Sequence, residues 1–281
     1  MKDYHKILFP YAYNILGSSE DAKDAIQDVL SSYLSAKKEG IQNEKSYLIK
    51  AVINQSINMK NRRKKISYED VWLPEPVATE AADTNINMRD IASYSLLILL
   101  EKLNPKERAV FILKEAFGYS HEEISEVLSA TVENSRKLLS RAKMKLDPAK
   151  HPVVVPEREI VPSGVLDKYI GALRGGDVKT LEDLLSRDIV FYADGGEKLN
   201  VVRKVCTGRH DVTELLVYVY EKYDKGLSSV PARINHQPAL LYYNGEQLVA
   251  CQVFGLSADG SHIVQISNVI DPEKLRNLRV A

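Results

Sequence analysis

Residues 118–146, GYSHEEISEVLSATVENSRKLLSRAKMKL, constrain this chain more than any other stretch. The pattern predicts two short helices joined by a tight turn. Ser120 stands three residues before Glu123, the spacing of a capping box at a helix start. Ile124, Val127 and Leu128 then give the first helix an apolar face. Ser129 and Ala130 form the turn, and Thr131 caps the second helix. Leu138, Leu139, Ala142 and Leu146 recur at helical spacing and point inward. Arg136, Lys137, Ser140, Arg141, Lys143 and Lys145 take the remaining faces, and no acidic residue lies between Asn134 and Leu146. A short helix with an apolar back and a basic, hydroxyl-bearing front fits the DNA major groove. A solvated basic surface helix has the same pattern, so the rest of the chain has to decide.

The chain is 281 residues long, enough for two or three small domains with their own cores. Lys plus Arg and Asp plus Glu both number 38, so net charge is zero and any affinity for nucleic acid has to come from local clusters. Two clusters qualify: the 136–145 helix and Arg62-Arg63-Lys64-Lys65. The two cysteines, Cys206 and Cys251, sit in apolar, strand-like settings, which favours buried free thiols in a reducing cytosol. No 18-residue apolar run occurs, so no membrane span is expected, and the start MKDYHKILFP does not lead into a signal peptide. A cytoplasmic protein is expected.

Residues 3–16 carry a helical apolar pattern through Ile7, Leu8, Tyr11 and Ile15, ended by Gly17. A second helix opens at Ser18 or Ser19, with Ala22, Ala25, Ile26, Val29, Leu30 and Tyr33 inward. Asp21, Asp24 and Asp28 share its exposed face, either merely solvated or a docking surface for a basic partner helix. Residues 44–65 form a third helix with Leu48, Ala51, Val52, Gln55 and Met59 on or near its inward stripe. Its four terminal cations exceed what capping needs and point to phosphate contact, although the helix dipole alone favours some positive charge there. Residues 66–88 lose periodicity, and Trp72-Leu73-Pro74-Glu75-Pro76 marks a linker whose tryptophan has to dock somewhere. A helix over 89–103 follows, then one begun by Asn104-Pro105-Lys106-Glu107 and running to Gly118.

Two motif sets in this order resemble the extracytoplasmic-function sigma factors of the sigma-70 family. Tyr13 to Ala22, Asp24-Ala25-Ile26-Gln27-Asp28, and Tyr47 to Asn54 running into Arg62-Arg63 are similar to region 2. Leu103 to Phe111, Glu122-Glu123-Ile124 and Ser140-Arg141-Ala142-Lys143 are similar to region 4. The resemblance implies an alternative sigma factor whose partners are core RNA polymerase, through its β′ coiled coil and β flap, and promoter DNA. It assigns Asp21, Asp24, Gln27 and Asp28 to polymerase docking. Asn54, Asn58, Arg62, Arg63, Lys64 and Lys65 fall to the −10 element. Ser135, Arg136, Lys137, Ser140, Arg141 and Lys143 fall to the −35 element.

Residues 148–162 are a proline-punctuated connector, and from residue 163 the period changes. Helices are expected at 163–174, 177–186 and 209–223, and strands at 188–193, 199–206, 230–236, 238–243, 247–256 and 262–269. Asn244-Gly245 and Asp259-Gly260 are hairpin signals. This part resembles a SnoaL-like domain, an α+β fold with a conical cavity. Trp72-Leu73-Pro74-Glu75-Pro76, Asp194-Gly195-Gly196-Glu197-Lys198 and Asp271-Pro272-Glu273-Lys274-Leu275 resemble the WLPEP, DGGGK and NPDKL motifs of sigma factors with such an extension. The resemblance implies regulation in cis, with Trp72, Pro74, Asp194, Gly195, Gly196, Lys198, Asp271, Pro272, Lys274 and Leu275 meeting at a regulatory interface. The cavity leaves open an unknown small ligand, and with it a one-component helix-turn-helix regulator. Asp194, His236 and Tyr192 are the candidates for chemistry there, but they form no nucleophile–base pair at a known spacing. No enzymatic activity, cofactor or metal is expected.

The expected organisation is multidomain. Two all-α domains, region 2 at 1–66 and the region 4 helix-turn-helix at 91–147, are joined by the linker 67–90. A second linker at 148–162 leads to the α+β domain at 163–281.

Overall fold

The computed structural model describes residues 4–35, 41–62, 72–79, 90–146, 163–196 and 205–278. The chain divides into two compact units. One holds residues 1–65, 82–92 and 96–151, and the other holds 66–81, 93–95 and 152–281.

The first unit is helical. Its elements are α1 (Tyr4–Leu16), α2 (Ser19–Ser35), α3 (Glu44–Arg62), α4 (Tyr94–Leu100), α5 (Pro105–Glu115), α6 (His121–Leu128) and α7 (Val132–Lys145). Residues 93–95, which include the first two residues of α4, are counted with the other unit. Gly17 ends α1 at φ +75°, a left-handed residue that glycine adopts without strain. On α2 the buried residues are Ser19, Ala22, Ala25, Ile26, Val29 and Tyr33, and Leu30 is half-buried. The inward stripe of α3 is rotated from the expected one. Leu48, Ile49, Val52, Ile53, Ser56 and Ile57 are buried, while Ala51, Gln55 and Met59 are half-buried. Ser56 is tolerated there because its hydroxyl donates to the Val52 carbonyl at 2.7 Å. The helix expected over 89–103 is confined to α4, because 101–103 form a turn closed by Leu103 N–H to the Leu100 carbonyl.

The second unit is α+β. Helices α8 (Ser163–Gly175), α9 (Val178–Leu184) and α10 (Arg209–Val219) accompany a six-stranded sheet. The strands are β1 (Leu185–Asp194), β2 (Cys206–Thr207), β3 (Ser228–Ile234), β4 (Gln237–Asn244), β5 (Gln247–Leu256) and β6 (Ile263–Val269), in the order β2-β1-β6-β5-β4-β3. Strands β3 to β6 are an antiparallel meander, and β1 joins β6 in parallel. A four-residue helix α11 (Pro272–Leu275) ends the unit. Of the strand expected over 199–206, residues 199–204 lie outside the described residues, and Cys206 opens β2.

Both faces of this sheet are buried. Phe191, Leu240, Tyr242, Phe254 and Ile266 pack with Leu166, Tyr169, Leu181, Val212 and Leu216 of the helices. Alternation sends Leu241, Cys251, Val253 and Val269 to the other face, where they are buried too. Both cysteines are free, and burial pushes the Cys251 thiol well up. Inside the helix-covered face, the Tyr169 and Tyr242 hydroxyls both donate to Gln252 Oε1, at 3.1 and 3.2 Å.

A π-helical turn, Tyr220–Asp224, follows α10 and leaves the Asp224 carboxyl half-buried, so that desolvation pushes its pKa up to about 6. A carboxyl whose folded pKa exceeds its unfolded one favours folding at low pH. That contribution is full below about pH 4 and is lost as pH rises through about 6. Asp224→Asn is therefore expected to stabilise the unit by roughly 1–2 kcal/mol at pH 7, after discounting for residual solvation, and by almost nothing near pH 4. Urea unfolding of both proteins across that range measures the difference. A constant offset would rule out Asp224 as its source.

Candidate nucleic-acid interface

The helix-turn-helix is built by caps. Ser120 Oγ accepts from Glu123 N–H at 3.1 Å, and Glu123 returns a bond to Ser120 N–H at 2.7 Å, closing the capping box. Asn104 and Glu107 form a second one at the start of α5. Ser129 takes φ +49° and turns the chain, and Thr131 Oγ1 accepts from Asn134 N–H to start α7. Leu138, Leu139, Ala142 and Leu146 are buried as expected. This leaves Arg136, Lys137, Ser140, Arg141 and Lys143 exposed on the far side, with Met144 also 69% exposed.

Two features of that face differ from the expectation. Ser135 is turned inward, 1% exposed, and shares a 2.9 Å hydrogen bond with His121 Nδ1. It falls on the same side as Leu138, Leu139 and Ala142, so it joins α7 to α6 and does not face outward. Most of the cations are also paired within the unit: Lys137 with Glu133 at 2.6 Å, Lys143 with Glu115 at 2.8 Å, Lys145 with Glu107 at 2.6 Å, and Arg136 with Glu122 at 4.0 Å. Arg141 makes no ion pair with another described residue. The pairs of Lys137, Lys143 and Arg136 are exposed and worth about 0–1 kcal/mol each, so a phosphate can displace them, whereas Lys145 pairs with the buried Glu107.

On α2, Asp24, Gln27 and Asp28 are exposed together, and Asp21 is half-buried near the first turn with its N–H on Ser18 Oγ. Asp28 Oδ2 accepts from Gln55 Nε2 at 2.9 Å. On α3, Asn58 and Arg62 are exposed and continue the line begun by Asn54. The Asn54 amide donates to the Lys50 carbonyl at 2.8 Å and to the Val127 carbonyl of α6 at 2.9 Å. Arg63, Lys64 and Lys65 lie outside the described residues, as does Lys198.

At the end of α3 lies an ion network. Lys60 Nζ reaches Glu101 Oε2 at 3.0 Å and the Leu16 carbonyl at 3.2 Å. Arg108, fully buried, pairs with Glu101 and donates from Nε to the Asn14 carbonyl at 2.8 Å. Burial, with the neighbouring Arg108 charge, lowers the Lys60 pKa to about 8. Burial alone would raise Glu101, but the Arg108 and Lys60 charges outweigh it and hold the carboxyl below its usual range.

In the second unit, the residues of the three motifs converge on Asp194 at the end of β1. Its Oδ2 accepts from Leu73 N–H at 2.7 Å and from Lys274 Nζ at 2.6 Å, and its Oδ1 accepts from Gly196 N–H at 2.9 Å. Lys274 also donates to the Leu73 carbonyl at 2.6 Å and lies 4.4 Å from the centre of the Trp72 ring. The Asp194 carbonyl accepts from Ile270 and Asp271 N–H, and Asp271 caps α11, where Pro272 is at the start and Leu275 is buried. Gly195 is buried as well. Gly196, at φ +64°, lies so close to Asp271 that a Cβ there would sit 2.6 Å from the carboxyl carbon. Pro74 is buried, and its carbonyl accepts from Tyr94 hydroxyl at 2.6 Å.

Sequence reasoning missed how far this clamp extends. Ala78 bridges to Ile234, Val77 N–H donates to Asn235 Oδ1, and Thr79 N–H donates to the Arg233 carbonyl. Gln237 accepts from Ser95 N–H at 2.7 Å and donates to Ser95 Oγ at 3.0 Å. A glutamine starting a strand carries no signal of such a role. Of the residues considered for chemistry, Asp194 is consumed by the clamp and Tyr192 lies on β1 with its hydroxyl pKa raised by burial. His236 occupies the β3–β4 turn at φ +65°.

The comparisons with known proteins fit this arrangement. Residues 95–146 match the family "Sigma-70, region 4". The chain is 23% identical to the ECF RNA polymerase sigma factor SigJ of Mycobacterium tuberculosis (strain ATCC 25618 / H37Rv), covering 95% of this chain and 89% of that one. It is 25% identical to the probable ECF RNA polymerase sigma factor SigI of Mycobacterium tuberculosis (strain CDC 1551 / Oshkosh), covering 97% and 92%. The crystal structure of the Mycobacterium tuberculosis extracytoplasmic function sigma factor SigJ superposes with a TM-score of 0.74 at 22% identity, covering 98% of this chain and 97% of that one. Residues 95–146 thus match sigma-70 region 4, and the chain as a whole is similar to extracytoplasmic-function sigma factors over nearly its full length and carries an α+β domain after the helical unit.

Proposed function

We propose that this chain is an alternative sigma factor that binds core RNA polymerase in the cytoplasm and directs initiation at specific promoters. The observation that carries the reading is the region 4 helix-turn-helix, whose α7 turns Arg136, Lys137, Ser140, Arg141 and Lys143 outward. In this reading those side chains contact the −35 element, while Ser135 only positions the helix. Asn54, Asn58, Arg62, Arg63, Lys64 and Lys65 serve the −10 element. The acidic face of α2 (Asp21, Asp24, Gln27 and Asp28) docks on the polymerase β′ coiled coil, and region 4 meets the β flap. A stand-alone helix-turn-helix regulator has no use for that acidic face, so it is the less favoured reading. No helix among the described residues is long and apolar enough to cross a membrane.

The C-terminal unit regulates the sigma regions in cis. Its clamp on the linker at Leu73, Val77 and Thr79 supports this, because a tethered contact acts at high effective concentration and weak bonds suffice. Run-off transcription with core polymerase tests both parts. The full chain is expected to give promoter-dependent transcripts, and removal of residues 270–281, which carry Lys274, is expected to change their yield. Failure of the full chain to bind core polymerase would overturn the sigma reading. Equal yields from both chains would overturn regulation in cis.

A further inference from the structure

We infer that the buried Tyr169–Gln252–Tyr242 cluster, together with the Asp224 carboxylate, is a binding site in the C-terminal unit for a small organic amine with an apolar body. The inference goes beyond the sigma reading by giving that unit a chemical input.

Two backbone irregularities flank the cluster. Lys225 N–H donates to the Tyr220 carbonyl at 2.9 Å, so the chain after α10 runs on as a π-helical turn that carries Asp224. Strand β5 holds one extra residue, Val249, opposite the Tyr242–Tyr243 step of β4. Single π-turns and β-bulges interrupt regular hydrogen bonding and concentrate at functional sites, where they re-aim a side chain.

The groups placed this way suit a ligand better than a closed core. Tyr169, Tyr242 and Gln252 are 0%, 7% and 4% exposed, in the cluster that also holds Leu166, Leu240 and Phe254. Both hydroxyls donate to Gln252 Oε1, and at 3.1 and 3.2 Å these bonds are long for hydroxyl donors. Gln252 Nε2 makes no hydrogen bond with another described residue. The half-buried Asp224 carboxylate is raised by desolvation, with no cation among the described residues offsetting it. The nearby cations are engaged elsewhere: Lys222 with the Tyr218 hydroxyl at 2.7 Å, Lys225 with Glu221 at 2.7 Å, and Arg174 with Ser229 at 3.2 Å. Its charge is nonetheless felt inside, since desolvation first and then Asp224 push the Tyr242 hydroxyl up. A carboxylate that loses water without gaining a partner lowers stability, and such losses are tolerated where binding needs the group. An ammonium supplies the missing charge and donates to the tyrosine oxygens, and its apolar body packs against the surrounding core. An anion would meet the carboxylate and be repelled.

Binding is measured by calorimetry on the full chain at about pH 8, where Asp224 is ionised. The probes are phenethylamine, phenethyl alcohol and hydrocinnamate, which share a ring and differ in charge. The amine is expected to bind with a Kd on the order of 1 mM, as suits so small a molecule, and about tenfold more tightly than the other two. Asp224→Asn is expected to weaken the amine about tenfold while resisting urea better than the native chain, so misfolding is not the cause. Tyr242→Phe is expected to weaken it about threefold. No saturable heat from the amine, or equal affinity for the alcohol, would overturn the site. So would full amine affinity in Asp224→Asn. A loss in Asp224→Asn without one in Tyr242→Phe would put the amine on the outer carboxylate alone and overturn the cluster. Core polymerase is absent from this assay, so failure of the sigma reading leaves its outcomes unchanged.

Discussion

Asp194→Ala is expected to destabilise the C-terminal unit by about 3–5 kcal/mol, the usual cost of removing one partner from a buried ion pair. The Asp194 side chain is 5% exposed and that of Lys274 13%. The carboxylate satisfies three donors at once: Leu73 N–H, Gly196 N–H and the Lys274 ammonium. Its loss takes away the carboxylate that Lys274 pairs with among the described residues, and the Leu73 carbonyl and the Trp72 ring beside the ammonium carry no full negative charge. Trp72 is the only tryptophan in the chain and lies against Lys274, so its emission follows this site during urea unfolding. The double replacement Asp194→Asn with Lys274→Met removes both charges yet keeps an amide oxygen for Leu73 N–H. It should unfold within about 1–2 kcal/mol of the native protein. Equal damage from the single and the double change would show that shape, not charge pairing, holds the motifs together.

The contrast between what was legible and what was not follows the range of the interactions. The capping boxes at Ser120 and Asn104, the Thr131 cap and the buried back of α7 are local, set by spacings of three and four residues, and the sequence displays them directly. The hairpin signals were nearly as clear, but Asn244-Gly245 misplaces its turn by one residue. Asn244 pairs with Gln247, so the loop is Gly245-Glu246, with Gly245 at φ +60°. The β3–β4 turn, Asn235-His236, has both residues at positive φ without any glycine, and so gave no expected signal.

Long-range pairings were the least legible. The spacing of α3 did not distinguish Gln55 and Met59 from Ile53 and Ile57, because which stripe faces inward depends on where α1 and α2 approach. The cations of α7 stand out in the chain, but the acidic partners Glu107, Glu115 and Glu122 come from other helices. Leu73, the hub that joins Asp194 to Lys274, acts through its backbone, which every residue possesses. The side-chain motifs around it marked the place without specifying that bond.

Reversing charge on α2 is expected to separate partner binding from folding. Asp24 and Asp28 are exposed, while Ala22, Ala25, Ile26 and Val29 of the same helix are buried on its other side. Asp24→Lys with Asp28→Lys therefore leaves the apolar contacts of α2 intact and gives up only the exposed Gln55 bond to Asp28. Surface changes of this kind normally shift stability by no more than about 0.5 kcal/mol each, so the melting curve should barely move. Binding to a basic polymerase surface should respond very differently. Two attractions become two repulsions, and like charges brought together at an interface cost several kcal/mol. A loss of roughly 3 kcal/mol corresponds to about a hundredfold weaker association. The measurement is competition with the native chain for limiting core polymerase, at moderate ionic strength because salt screens the term being tested. A folded double variant that still competed equally would remove the acidic face of α2 from the docking surface. A variant that lost binding but regained part of it at high salt would identify repulsion as the cause, since screening weakens like-charge contact without restoring any lost packing.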